Sequence, residues 1–255
     1  MCLIAIALDA HPRYRLVLAA NRDEFHARPT APASYWDDTP QLFGGRDLQQ
    51  HGSWLACTRD GRWAAVTNVR RMVPPDPQAP SRGRLVVDYL RGHDPASSYV
   101  SDLRTQAPRF AGFNLLAGDR HDVWYASNWP EYAQQKLNPG VHAVSNASLD
   151  TPWPKLVQLK SRLQRWCDEG ETDFAPLFAA LADPLVAADA GLPDTGVGIE
   201  QERFLSATFI RGETYGTRCC TLLTIDGSGH ASFHERRFGP NAAFLGETSE
   251  YLQLG

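Results

Sequence analysis

The 255 residues are 43% hydrophobic and carry 25 basic against 29 acidic side chains, a formal net charge of -4 at pH 7. That is apolar material enough for one well-filled domain or two small ones, and it sets disorder aside as the main theme. Charge of both signs is spread along the chain, so nothing calls for nucleic acid or an anionic membrane surface as a partner.

The chain opens on an apolar run, "CLIAIAL", with Cys2, Ile4, Ile6 and Leu8 on one alternating face and Leu3, Ala5 and Ala7 on the other. Such a segment reads as a strand buried on both sides. It stops at Asp9 with no basic stretch before it, too short for a signal peptide or a membrane span, and no integral membrane segment is expected. "DAHPR" supplies turn chemistry and "YRLVLAA" a return strand. A hairpin centred near His11 sets Cys2 beside Ala20, within a residue or two, and brings the next segment, "NRDE", out beside Cys2.

Further along, "SWLACTRDGRWAAVTN" reads as two strands joined at Asp60-Gly61, the second ending at Asn68. A proline-rich loop, "VPPDPQAP", follows, then two helical stretches, "RGRLVVDYLRG" and "DPASSYVSDLRTQ", the latter with Asp94 as N-cap before Pro95. "FNLLAG" and "DVWYASN" form another hairpin, and "VHAVSN" a strand ending in Asn146. "PKLVQLKSRLQRWCDEG" aligns Leu156, Leu159, Leu163 and Trp166 on one helical face before Gly170 stops it, and "DFAPLFAALAD" is a shorter helix. "RFLSATFIRG", "TRCCTLLTID" and "HASFHERRF" read as closing strands. With no repeat and no linker, the order predicts a single α+β domain over residues 1–255: two antiparallel sheets covered by helix pairs.

Five cysteines, Cys2, Cys57, Cys167, Cys219 and Cys220, are odd in number and lack C-x-x-C spacing, which argues against a disulfide framework and a zinc cluster and for a reducing cytoplasm. Adjacent Cys219 and Cys220 point to opposite faces of a strand and read as core. His230 and His234 on a strand lie about 13 Å apart, too far for one ion. "GLPDTGVG" lacks the order of a phosphate loop, and nothing in the spacing of His11 or His26 marks a haem ligand. No metal site and no resident cofactor are expected.

Chemistry converges at strand ends. Asn21, Arg22, Asp23 and Glu24 arrive beside Cys2 by the hairpin register, with Asn68 and Asn146 at other strand termini. Cysteine at position 2 is small enough for Met1 to be removed. The exposed α-amine, titrating near ~8, would then be a base for a thiol of pKa ~8.5, with Arg22 favouring the thiolate. Asparagine amides can donate to an oxyanion, and Asp23 can orient a cation. The plainer alternatives are a core cysteine, a turn held by Asx hydrogen bonds and an arginine–carboxylate pair.

The stretches "AANRDEFHARPTAPASYW", "GGRDLQQHGSWLACTRDGRWAAVTNVR", "SRGRLVVDYL", "FNLLAGD", "VSNASLDTPWPK", "LPDTGVGIEQERFLSATFI" and "YGTRCCTLLTID" resemble the NRDE family, also called the transport and Golgi organisation 2 family, through nearly the whole chain. The resemblance implies a branch of the N-terminal-nucleophile hydrolase fold, a four-layer αββα sandwich shared with penicillin V acylases and bile-salt hydrolases, in which a processed N-terminal cysteine attacks an amide. By that likeness Cys2 is the nucleophile, Arg22 and Asp23 its activating neighbours, Asn68 and Asn146 oxyanion or positioning donors, and Arg218 of "YGTRCC" a further site arginine; Asn21 and Glu24 fall in the substrate-binding set. The acylases carry the order R-N-x-D where this chain has Asn21, Arg22, Asp23 and Glu24, and alternation along a strand then aims the arginine differently. The implied activity is a cysteine-nucleophile amidohydrolase of a linear amide or acylated small molecule. The alternative keeps the pocket to bind acyl-coenzyme A, lipid or haem without turnover.

Overall fold

A histidine closes the first hairpin. The His11 Nδ1 accepts the backbone N–H groups of Arg13 and Tyr14 at 3.0 and 3.2 Å, its Nε2 lies 2.8 Å from the Glu171 carbonyl, and the ring stacks 4.7 Å from that of Trp166. Those bonds satisfy a tight turn's backbone from within. Cys2 stands opposite Arg22, two residues beyond Ala20, so the hairpin does bring "NRDE" out beside Cys2.

The computed structural model describes residues 2–71 and 76–254. In chain order these form β1 (Cys2–Leu8), β2 (Tyr14–Phe25), β3 (Thr30–Trp36), β4 (Thr39–Asp47), β5 (Leu55–Thr58) and β6 (Trp63–Asn68), then helices α1 (Gly83–Arg91) and α2 (Ala96–Gln106). Strands β7 (Phe113–Gly118), β8 (Val123–Ser127), β9 (Ala133–Lys136) and β10 (Gly140–Val144) follow, then α3 (Pro154–Asp168), α4 (Ala175–Leu181) and α5 (Ile199–Ser206). The chain closes on β11 (Tyr215–Asp226), β12 (His230–Phe238) and β13 (Phe244–Gln253). Two antiparallel sheets with helices make the class α+β, as the order of elements predicts. Among the described residues no helix is long and apolar enough to cross a membrane.

Contacts divide the chain into two compact units. The first runs to Ala27 and resumes over Pro139–Leu252. Its sheet has the order β10-β1-β2-β11-β12-β13. Leu3, Ala5 and Ala7 of β1 and Val17 and Ala19 of β2 pack with Leu156, Leu159, Leu163 and Trp166 of α3 and Leu177 and Leu181 of α4. This is the helical stripe read from the sequence meeting one face of an alternating strand. Ile4 and Ile6, on the other face of β1, are also buried, as a strand apolar on both sides requires.

The second unit, Arg28–Asn138 with the last residues from Gln253, holds the sheet β3-β4-β5-β6-β7-β8-β9. Leu85, Val86, Tyr89 and Leu90 of α1 and Val100 and Leu103 of α2 cover Val66, Phe113, Leu115 and Ala117. The β5–β6 hairpin turns at Asp60-Gly61 as predicted, with Gly61 at φ 87°, a conformation that costs glycine nothing.

Three local expectations change. "RFLSATFIRG" is no strand: α5 ends in it at Ser206, started after Gly198 at φ 87° and held by Arg203 pairing with Asp189 and Glu200. Acidic side chains in its first turn, Glu200 and Glu202, complement the helix dipole and outweigh the apolar run. Asp94 does not cap α2; the Asp119 carboxylate accepts the Ala96 N–H at 3.0 Å from another loop. The strand ending in Asn146 stops at Val144. Of the proline-rich loop, Val73, Pro74 and Pro75 lie outside the described residues, as does Met1.

Candidate functional site

β2 runs twelve residues, so "NRDE" is strand, not turn. It is flanked by β1 and β11, and the registers Cys2↔Arg22 and Arg22↔Cys219 line three side chains across the sheet on one face. Asn21 and Asp23 then belong to the opposite face, opposite Leu3, Cys220 and Thr217. The changed motif order has a direct consequence here: alternation presents the arginine, not the asparagine or the aspartate, on the thiol's side.

On the helix-facing side the polar groups are committed to structure. The buried Asn21 amide donates to the carbonyls of Leu181 and Thr208 at 2.7 and 2.8 Å, tying the end of α4 to the segment before β11. Asp23, also buried, accepts the Thr217 hydroxyl at 2.7 Å. Burial pushes its carboxyl above the usual range, against the opposing pull of the Lys155 ammonium and the Thr217 hydrogen bond. Lys155 is itself buried at the start of α3 and donates to the Leu205 carbonyl at 3.0 Å.

On the other side stands the thiol. Cys2 is half-buried, and its pKa is raised by desolvation and by Asp23 and Glu24, with Arg22 pulling the other way. The resting group is the thiol, and a nucleophilic role requires a base. Beyond the last paired residue of β10, Ser145 donates to the Cys2 carbonyl at 3.2 Å and its hydroxyl lies 3.1 Å from the Asn146 Oδ1, so Asn146 is brought to the Cys2 end of the sheet. A bulge between Thr217 and Cys219 sets Arg218 out of register; its guanidinium donates to the Phe25 carbonyl at 2.8 Å. Burial and the neighbouring Arg22 charge lower its pKa, Glu24 opposing. Glu24 accepts the Phe25 N–H at 2.9 Å.

Of the residues singled out in the sequence, the first unit therefore gathers Cys2, Asn21, Arg22, Asp23, Glu24, Asn146 and Arg218. Asn68 belongs to the second unit, where it ends β6 opposite Phe113 of β7. Lys155, Ser145 and Thr217 were missed. Lys155 had a signal: it is in phase with Leu159, Leu163 and Trp166, a lysine on an apolar helical stripe. Cys219 and Cys220 are buried, their thiols raised well above the ordinary value by desolvation. No group of three or more His, Cys, Asp or Glu side chains among the described residues could hold a metal ion.

These features define an α+β protein with a cysteine, an arginine and an amide side chain at one end of an antiparallel sheet. The family model described as Transport and Golgi organisation 2 matches residues 1–240, and the chain belongs to that family. It is 32% identical over 271 residues to the Transport and Golgi organization 2 homolog of Mus musculus, covering 98% of each chain. To the human Transport and Golgi organization protein 2 homolog it is 34% identical, covering 92% of each. Among solved structures, a Caenorhabditis elegans ortholog of N-acylethanolamine-hydrolyzing acid amidase aligns over 87% of this chain and 92% of that one, at 11% identity and a TM-score of 0.45.

Proposed function

We propose that the protein is a cysteine-nucleophile amidohydrolase of a linear amide or acylated small molecule, with Cys2 as nucleophile once Met1 has been removed. The observation that carries this reading is the cross-strand pairing of Cys2 with Arg22, with Ser145 and Asn146 attached to the same strand end. In the reaction the Cys2 α-amine takes the thiol proton and sulfur attacks the amide carbon. Negative charge gathers on the carbonyl oxygen, where the Asn146 amide and Arg22 are suited to receive it. Collapse passes the ammonium proton to the leaving amine and leaves an acyl thioester; water, deprotonated by the same amine, releases the acid and restores the thiol. Arg22 also opposes the desolvation that holds the thiol protonated.

The first experiment is intact mass and amino-terminal sequencing of protein from its native cells, followed by trapping on a panel of amides and thioesters. A chain beginning at Cys2 that gains an acyl mass there, lost in Cys2→Ala, is the expected result. A retained Met1, or no adduct across the panel, overturns it. A second reading keeps the same pocket to bind an acyl-coenzyme A, lipid or haem without turnover, Cys2 remaining a protonated thiol. In that case Cys2→Ala retains ligand affinity and Arg22→Ala loses it.

A further inference from the structure

Between α4 and the outer strands β12 and β13 of the first unit, Phe174, Phe178, His234, Arg236, Glu247 and Tyr251 line a cavity of about 320 Å³. It is separate from the thiol. His234 pairs with Leu222, whose side of the sheet packs under α3 and α4, whereas Cys2 shares the opposite face with Arg22 and Cys219. The walls are aromatic and braced from behind. Phe174 stands 5.1 Å from the His234 ring and 6.2 Å from Trp166, which in turn stacks on His11 at 4.7 Å. Tyr251 meets the same imidazole edge-on at 5.5 Å. This row of rings runs from the first hairpin to the surface and fixes the plane of the His234 imidazole before any ligand arrives.

That imidazole has a nitrogen to spare. His234 is only 9% exposed; its Nδ1 lies 2.9 Å from the Ser249 hydroxyl, and its buried Nε2 has no hydrogen-bond partner among the described residues. A buried polar atom left in this way is costly, and a ligand that reaches it removes the cost. Burial lowers the His234 pKa, Arg236 adding to the effect and Glu247 opposing it, so the ring is neutral at pH 7. A neutral imidazole carries one N–H and one lone pair, and the Ser249 hydroxyl can face either, so Nε2 is free to donate or to accept. The charged groups of the lining are already engaged. Arg236 lies over the Phe178 ring at 4.0 Å and donates from Nε to the Glu247 carboxylate at 3.3 Å, the Asp173 Oδ1 accepts the Ala175 N–H at 2.9 Å, and Glu235 pairs with Arg237 at 3.7 Å. An anion entering here would face the carboxylates of Asp173, Glu235 and Glu247, and an organic cation would find the Phe178 face occupied by Arg236. A neutral ligand meets neither obstacle, aromatic walls favour a flat one, and the volume suits a ring system of indole or nucleobase size. We propose that this cavity binds a small neutral heteroaromatic molecule, its polar ring edge hydrogen-bonded to the His234 Nε2.

The test is a ligand-observed NMR titration of the full-length protein with indole, with adenine and, as a ring that is not aromatic, with cyclohexanol. Indole or adenine should bind, and cyclohexanol severalfold more weakly. His234→Phe keeps a ring between Phe174 and Tyr251 but removes Nε2, and should weaken binding about tenfold. Tyr251 is 75% exposed, so Tyr251→Ala leaves the fold intact while opening the wall, and should also weaken binding. Phe244→Ala, an exposed aromatic of β13 outside the cavity, is the control and should bind as the wild type does. No binding of either aromatic probe at millimolar concentration, or cyclohexanol bound as well as they are, overturns the proposal. So does unchanged affinity in His234→Phe, or an equal loss in Tyr251→Ala and Phe244→Ala; should His234→Phe fail to fold, the comparison of those last two variants decides.

Discussion

Both sheets end in polar side chains, and the two ends differ in burial. At the end of the first sheet Cys2 and Arg22 share one face while Asp23 belongs to the other, toward Lys155. Burial raises the pKa of both Asp23 and the Cys2 thiol, and each is compensated in part by a cation, Asp23 by Lys155 and the thiol by Arg22. At the end of the second sheet Asn68 is half-buried, and the nearby Arg71 and Arg109 are exposed. Buried charges tune the groups beside them, whereas solvent screens exposed ones.

The largest effect should come from breaking the compensation. Lys155→Met leaves the Asp23 carboxylate buried beside a methionine and should cost about 3 kcal/mol in urea unfolding at pH 7. Because Asp23 already has a raised folded-state pKa, its ionisation opposes folding: the native state holds the proton longer than the unfolded chain, so stability falls as pH rises from the ordinary aspartate value through the folded one. Losing the Lys155 charge widens that window upward. The variant's deficit should therefore shrink at acid pH, where Asp23 is protonated, and Asp23→Asn in the same chain should restore most of the loss. A deficit independent of pH would mean that lost packing, not charge, is responsible.

Next in size is the helix-facing side of β2. Asn21→Ala removes two hydrogen bonds and leaves the Leu181 and Thr208 carbonyls buried without that donor, for about 2 kcal/mol in the same measurement. Arg22→Ala, one residue on and facing the other way, should act chiefly on the thiol. With its countercharge gone the Cys2 pKa rises, and alkylation by iodoacetamide at pH 8, followed by mass of the Cys2 peptide, should slow about threefold. If Asn21→Ala slowed alkylation as much, the division of labour between the two faces would fail.

Much of this was legible in the sequence because it rests on period. Alternation fixed which residues of β1 share a face, the Leu156, Leu159, Leu163 and Trp166 stripe fixed the side α3 buries, and Asp60-Gly61 fixed a hairpin. Less legible was anything set by a partner distant in the chain. His11 reaches the Glu171 carbonyl, α2 is capped by Asp119, and Asn21 is consumed by carbonyls more than a hundred residues away. β13 carries no pattern as strong as those of the core strands, being exposed along most of its length at the edge of its sheet. The arginines near Asn68 are separated by about forty residues in the sequence, and only the β6–β7 pairing makes them one group.

The smallest stability effect expected tests how tightly the loops at the end of the second sheet are held together. Gly112→Ala forces its new methyl to within 3.0 Å of the Val69 Cβ, so the two loops must part by a few tenths of an ångström. Gly112 and Val69 are both buried, so that parting meets packed neighbours and should cost about 1 kcal/mol. The hydrogen bonds from Val69 and Arg82 to the Gly112 carbonyl then lengthen. Urea unfolding of Gly112→Ala should register a loss of about that size. A loss several times larger would mean that these hydrogen bonds break rather than lengthen.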